Sequence, residues 1–244
     1  MDYSIIIPAF DEEAYIVPTI KAIQSAMQGI PLAGEIIVCN NNSSDSTAIL
    51  AEENGANVVF EAVNQISRAR NTGARHAKGN CLIFVDADTS ISVGLLQEAL
   101  LLLQSKKCVG GGSVVRMDGA ATRMQGLALH AWNTLSFRLK IAAGCFIFCR
   151  RDAFEDVGGF SEAVYASEEI WLSRQLRRWG KRHGLRYCIL RDHPVTSSGR
   201  KLDWYGPLQQ IILVVSVLLF PFLVRYKRLC GFWYNRPQGE KKNR

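Results

Sequence analysis

Two carboxylates one residue apart, Asp86 and Asp88, close an apolar run, Leu82-Ile83-Phe84-Val85. The run is branched and aromatic and follows Lys78-Gly79-Asn80, so it reads as a buried strand leaving a turn. If the extension continued, its period of two would put both carboxylates on one face. At the carboxyl end of a strand in an open α/β sheet, that face overhangs the ligand crevice. Like charges held this close repel unless a cation lies between them, and a divalent ion carrying a diphosphate would serve. The competing account is structural, with Asp86 capping a turn and Asp88 capping a helix over 92–104. A second acidic pair, Glu168-Glu169, opens a strongly basic helical stretch. It reads either as a complement to the helix dipole or as a general base.

Holding such groups in place takes a sheet, and the chain supplies one. Ser4 to Pro8 is a short apolar strand; Asp11-Glu12-Glu13 follows, then a helix to about Met27 whose dipole the three acids would complement. Glu35 to Cys39 is a second strand. It runs into Asn40-Asn41-Asn42-Ser43-Ser44-Asp45-Ser46-Thr47 and a helix to about Asn54. A polar cluster between strand and helix suits a ligand-facing loop, and helix capping by Ser43, Ser44 or Asp45 is the alternative. A third strand, Asn57 to Phe60, and a helix from Ser67 to Ala77 carrying Arg68, Arg70 and Arg75 lead to the strand with the aspartates. The order βαβαβαβ predicts a parallel sheet with crossover helices. No glycine-rich fingerprint follows the first strand, no Walker sequence occurs, and Gly110-Gly111-Gly112 follows a helix. A diphosphate would therefore need the metal and basic side chains: Asp86, Asp88 and an arginine from 68–75.

Beyond the aspartates the pattern predicts a strand over 109–117, a helix over 121–140, an apolar strand over 143–150 and a short helix over 151–157. The helix opened by Glu168 and Glu169 is expected to end at Gly180, with a last strand from Tyr187 to Leu190. Residues 191–201 are polar, basic and glycine-broken, which suits a mobile loop over a phosphate. Residues 208–224 are apolar apart from Gln209, Gln210 and Ser216, short of the twenty or so a spanning helix needs. Trp204 and Tyr205 precede them and Arg225-Tyr226-Lys227-Arg228 follows, flanks that mark a membrane interface. The expectation is a domain over 1–205 and a membrane-associating apolar helix with a basic tail over 206–244. That tail would be peripheral or a single span at the cytoplasmic face.

The 244 residues allow one domain with a sizeable core, and 48% hydrophobic with 21% charged residues excludes a disordered chain. The net charge of +7 is uneven: Arg174 to Arg244 holds 16 Lys and Arg against 3 Asp and Glu, and the first 173 residues hold 13 against 19. A basic tail suggests a phosphate-bearing partner, a membrane surface or an acidic substrate. No nucleic-acid module is visible, so nucleic acid is not expected as a partner. Seven scattered cysteines without zinc spacing read as buried thiols in a reducing compartment. No signal peptide is visible at the amino terminus.

Together these segments resemble the family-2 glycosyltransferases, inverting enzymes of GT-A fold, over about residues 2–205. Ser-Ile-Ile-Ile-Pro-Ala-Phe-Asp-Glu-Glu is similar to their opening strand and loop, where Pro8, Ala9, Phe10 and Glu12 would line the nucleoside pocket. The segment around Asn40 is similar to their second loop, and Arg70-Asn71-Thr72-Gly73 with Lys78-Gly79 to the stretch before the metal strand. Asp86-Ala87-Asp88 stands where the family has Asp-x-Asp. Glu168-Glu169, with Leu172, Leu176, Arg177 and Gly180, resembles its acceptor-side acidic pair. The chain departs from the pattern at Asn40, where the family has an Asp that accepts from the base, and at Glu169, where it has Asp. An Asn carbonyl can also accept.

The resemblance implies an α/β Rossmann-like, mostly parallel sheet flanked by helices, and a nucleotide-sugar donor, with uridine diphosphate favoured. Asp88, with Asp86, would hold Mg²⁺ or Mn²⁺ against the diphosphate; His193 is a candidate third ligand. Arg70 and Asn40 would contact the nucleotide, and Arg200 and Lys201 would close over the diphosphate. Glu169, or else Glu168, would deprotonate an acceptor hydroxyl. A lipid-linked or saccharide acceptor fits the apolar tail, and a polyprenyl phosphate acceptor would need no base. The rivals are a catalytically silent membrane-bound scaffold and a nucleotidyltransferase on a similar sheet.

Overall fold

The central apolar runs become strands because they are buried on both faces, which is what helices on either side of a sheet require; the edge strand over 57–60 is only partly covered. In the computed structural model, which describes residues 1–119, 123–199, 224–226, 228 and 230, β1 (Tyr3–Ala9) is buried along its whole length. Then come α1 (Ile16–Gln28), β2 (Gly34–Asn40), α2 (Thr47–Glu53), β3 (Asn57–Phe60), α3 (Ile66–His76), β4 (Cys81–Val85) and β5 (Thr89–Ser90). The second half holds α4 (Val93–Gln104), β6 (Cys108–Met117), α5 (Arg123–Leu139), β7 (Phe146–Arg150), α6 (Arg151–Asp156), α7 (Glu168–Arg182) and β8 (Arg186–Ser197).

The eight strands form one sheet in the order β3-β2-β1-β4-β7-β6-β8-β5. The first four are parallel, as the βαβ order predicts. The parallel run stops at β4. Strand β7 lies antiparallel to both β4 and β6, β6 and β8 are parallel, and β5 is antiparallel to β8. The expected α/β GT-A architecture is present, with a mixed second half. Helices α1 and α4 cover one face, and α3, α6 and α7 the other, where Phe84 packs against Phe154 and Phe160 at centroid distances of 5.3 and 5.0 Å. Each such ring contributes about 1.5–3 kcal/mol by burial.

Close approach, not phosphate binding, explains the glycine triplet. A Cβ at Gly111 would stand 1.8 Å from the Cys188 carbonyl oxygen, and one at Gly110 2.5 Å from that of Phe148. Several local expectations are corrected. Helix α7 runs through Gly180, which is buried against Val109 and the Leu185 carbonyl, and it stops before Gly184, whose φ of +70° is left-handed. Residues 191–197 belong to β8 and are not a loop, because they complete pairing with β6 and β5. The apolar strand begins at Phe146, not at 143. The apolar stretch 208–223, Arg200 and Lys201 lie outside the described residues. Among the described residues no helix is long and apolar enough to cross a membrane.

Candidate active site

The carboxyl edge of the parallel strands carries the chemistry. Strand β4 ends at Val85, and Asp86-Ala87-Asp88 form a turn closed by the Thr89 N–H on the Asp86 carbonyl at 3.1 Å. The two aspartates are thus presented by a turn rather than by continued extension. Asp88 does not cap α4; the Ser92 side chain does, accepting from the Leu95 N–H. The buried Thr19 hydroxyl of α1 donates to the Ala87 carbonyl at 2.7 Å, which fixes the peptide between the two carboxylates. On the far side of this turn the Asp86 N–H donates to Cys145 O and the Ser198 N–H to Asp88 O.

Arg70 is the hub. It is 1% exposed, and Nη2 donates to Asp86 Oδ1 and to the Gly144 carbonyl, both at 2.8 Å, while Nη1 donates to Glu168 Oε1. Its guanidinium stands 5.1 Å over the Phe160 ring. Burial alone would pull the group down, but Asp86 and Glu168 outweigh it and hold it charged. One cation therefore ties the Asp86-Ala87-Asp88 turn to the acidic pair. Glu169 is the next residue. Burial, then the charge of Glu168, pushes its carboxyl up to about 8. Ser167, the residue before α7, is left-handed at φ 61° and turns the chain so that Glu168 enters the interior. Gly144 lies between Arg70 and Glu169: a Cβ there would make ordinary contacts at 3.5 Å with Arg70 Nη2 and 3.8 Å with Glu169 Cδ.

The loops after β1 and β2 are stitched to each other by backbone N–H groups. Asp11 N donates to Ser43 Oγ at 3.0 Å, Glu12 N to Thr47 Oγ1 at 2.7 Å and Glu13 N to Asp45 Oδ2 at 3.1 Å; Ser44 N returns a bond to Asp11 Oδ1 at 2.7 Å. Helix α1 starts only at Ile16 and has no acid in its first turn, so Asp11, Glu12 and Glu13 serve this seam rather than the dipole. Asn40 ends β2, and its Oδ1 accepts from Ser43 N at 2.9 Å. The Arg70-Asn71-Thr72-Gly73 segment is accounted for residue by residue. Asn71 makes a two-point pair with the Phe160 backbone, Thr72 donates to Glu61, and Gly73 lets α3 sit on Ile6.

A profile of glycosyl transferase family 2 matches residues 4–158. The chain belongs to this family. Among curated relatives, glycosyltransferase AglE of Haloferax volcanii is 25% identical over 211 residues, 82% of this chain and 69% of that protein. The fold is shared with Staphylococcus aureus TarS 1–349 in complex with UDP-GlcNAc, at a TM-score of 0.64 and 18% identity over 99% of this chain and 78% of that one. It is also shared with the Mycobacterium tuberculosis glucosyl-3-phosphoglycerate synthase bound to Mn²⁺, UDP and glucosyl-3-phosphoglycerate, at 0.62 and 22% over 88% and 78%.

Seen as a family-2 glycosyltransferase, the expected residues divide into three groups. Asp86, Glu168 and Glu169 gather around Arg70, and Asp88 stands with Asp86 near Cys145. Pro8 and Ala9 are buried in β1, which leaves Phe10 and Glu12, both half-buried, at the mouth of the first loop. Arg70 does not reach outward to a nucleotide as expected, because three protein acceptors take its Nη donors and it is buried. His193 is not gathered with the aspartates; its exposed ring packs over Gly94 at the start of α4. Glu61, Gln65 and Asn41 were not singled out by sequence reasoning. Asn41 holds the 61–65 segment through Glu61 O, Val63 O and Gln65 N, and Gln65 holds Glu162 O and Val164 O. Asn41 and Glu61 are polar residues beside a strand end and Gln65 is one before a helix, which is all the sequence signal they carry.

Proposed function

We propose that the chain transfers a sugar from a nucleotide-sugar, with a UDP-linked donor favoured, to an acceptor hydroxyl with inversion. The observation that carries the reading is the grouping around Arg70. Its guanidinium binds Asp86 and Glu168 together, and the neighbouring Glu169, which lies beside Gly144, is pushed up to about 8 by burial and the charge of Glu168. A general base works best with a pKa near the working pH, and Glu169 is placed in that range by burial beside Glu168. In this reading Glu169 takes the acceptor proton as the hydroxyl attacks the anomeric carbon. Arg70 acts through Asp86 and Glu168, keeping both oriented.

The residues present fit a divalent cation. Asp86 and Asp88 offer hard carboxylate oxygens from one turn, the ligand chemistry that Mg²⁺ and Mn²⁺ favour. Among the described residues no cluster of three or more His, Cys, Asp or Glu forms a complete cage, which suits an ion whose remaining ligands are phosphate and water. When bound, Mg²⁺ or Mn²⁺ would neutralise charge on the leaving diphosphate. The Mn²⁺ and UDP in the glucosyl-3-phosphoglycerate synthase complex and the UDP-GlcNAc in the TarS complex support donor and cofactor class.

Calorimetric titration of UDP and GDP, with and without Mn²⁺, on wild type and Asp88→Ala tests this. Mn²⁺-dependent UDP binding that the variant loses supports it. Preference for GDP would keep glycosyl transfer, change the donor and point to Asn40. No nucleotide binding by folded protein would leave the silent scaffold.

A further inference from the structure

Helix α5 turns an apolar ridge to the surface. Met124, Leu127, Ala128, Ala131, Leu135 and Leu139 recur at helical spacing, and all six are exposed, Leu127 at 70% and Met124 at 60%. The opposite side of the helix is fastened. Leu129 and Trp132 pack on the core, and the Asn133 side chain accepts from Val115 N at 2.9 Å and donates to Val115 O at 2.8 Å, completing the backbone of β6. The ridge is therefore a fixed feature of the surface, and no step of the transfer uses it.

Helix α5 and its neighbour α7 are predominantly basic, although the exposed Asp156 accepts from Trp179 Nε1 of α7 at 2.9 Å and Asp192 follows Arg191. No Asp or Glu occurs between Asp118 and Asp152, an interval that contains all of α5, nor between Glu169 and Asp192, which contains the rest of α7. On α7 Arg174, Arg177, Arg178, Lys181 and Arg182 are exposed. The two helices meet at the end of the ridge, where Arg177 Nη1 donates to the Leu139 carbonyl at 2.6 Å. Beside it Arg191 stands 4.7 Å over the half-exposed Phe137 ring.

We infer that α5 and the basic face of α7 form a docking surface for a bilayer rich in anionic phospholipid. Apolar side chains enter the interface while neighbouring cations meet the head groups, and the two contributions add. A second copy is the poorer occupant, because a two-fold interface would set the basic face of α7, with Arg174, Arg177, Arg178, Lys181 and Arg182, against itself. The chain leaves α5 for Gly144, whose carbonyl meets Arg70 beside Glu169, so docking would bring the active-site cleft to the membrane. The surface rests on the glycosyl-transfer reading only for its purpose, which is to meet an acceptor presented at a bilayer.

Co-sedimentation of the full chain with vesicles of phosphatidylcholine, alone or mixed with an equal part of phosphatidylglycerol, tests it. Wild type is expected to bind the mixed vesicles and to release at high salt. Leu127→Gln with Leu135→Gln should weaken binding about tenfold or more, and Arg174→Gln with Arg178→Gln several-fold. UDP affinity, read by calorimetry, should stay at the wild-type value in both variants and so reports that they fold. Wild-type vesicle binding by the leucine variant overturns the proposal and assigns any membrane contact to residues outside this face. A wild-type dimer in the absence of vesicles that the leucine variant converts to monomer also overturns it, in favour of a second copy. Ridge-dependent vesicle binding by a protein that takes no nucleotide supports the surface while removing glycosyl transfer as its purpose.

Discussion

The two halves of the sheet obey different rules. In β3-β2-β1-β4 every neighbour is parallel, every crossover is a helix and the ligand loops lie at one edge, so the half is a repeated βα unit. In β7-β6-β8-β5 the pairing is mixed, antiparallel, then parallel, then antiparallel, and β6 slips register against β8 at two places, between Cys108 and Gly110 and between Ser113 and Val115. Ser113 Oγ bridges one slip, 3.0 Å from the His193 carbonyl and accepting from Val195 N. On the proposed reading the regular half would serve the donor, with backbone and carboxylate from repeated βα units, and the irregular half, which carries Glu169 and Gly144, would serve the acceptor.

If that division holds, chemistry and donor binding separate by mutation. Glu169→Gln is expected to lower kcat about a thousandfold and leave UDP affinity within about twofold, measured by initial rates beside calorimetry. Substantial remaining activity would point to an acceptor that is already ionised, a lipid phosphate. Arg70→Met crosses the division. It leaves Asp86 and Glu168 facing inward without their cation, and urea unfolding should show a loss of about 3–5 kcal/mol; a stable variant would mean the halves do not depend on their shared cation. Asp45→Ala touches only the regular half, where Asp45 accepts from Glu13 N, Thr47 N and Thr47 Oγ1. UDP affinity should fall about tenfold with kcat nearly unchanged. The pH profile sharpens the same contrast. Glu169 must lose its proton to act, so kcat/KM should rise with pH toward a limb near 8. A limb in the ordinary Glu range would place the working base elsewhere. The smallest effect is expected at Ser92→Ala, which removes the cap of α4 and should cost about 1 kcal/mol in thermal unfolding without changing rates.

The regular half was the readable one. Its strands announce themselves as branched runs, and β3 has the bounds the pattern predicts. Local pattern fails where a tertiary contact overrides it. Gly180 is a helix breaker by propensity, yet α7 keeps it because only a glycine fits against Val109 and Leu185 O. Pro194 and the polar residues around it read as a loop, yet pairing to β6 and β5 draws them into β8. At the site, residue types revealed both acidic pairs. Arg70 was legible as a basic residue of importance but not as a buried one, since burial there depends on α7 and the Gly144 segment closing over it from far along the chain.

The Thr19 hydroxyl on the Ala87 carbonyl has a consequence for affinity. The peptide joining Asp86 to Asp88 is anchored to a core helix through a buried bond, so the turn is already ordered in the free protein. Ion capture would spend little on arranging backbone, in the way preorganised binders gain their strength. Affinity at this turn should then follow the charge of its two carboxylates and of the incoming diphosphate, and lengthening the turn by a residue should harm it more than an exchange of Mg²⁺ for Mn²⁺.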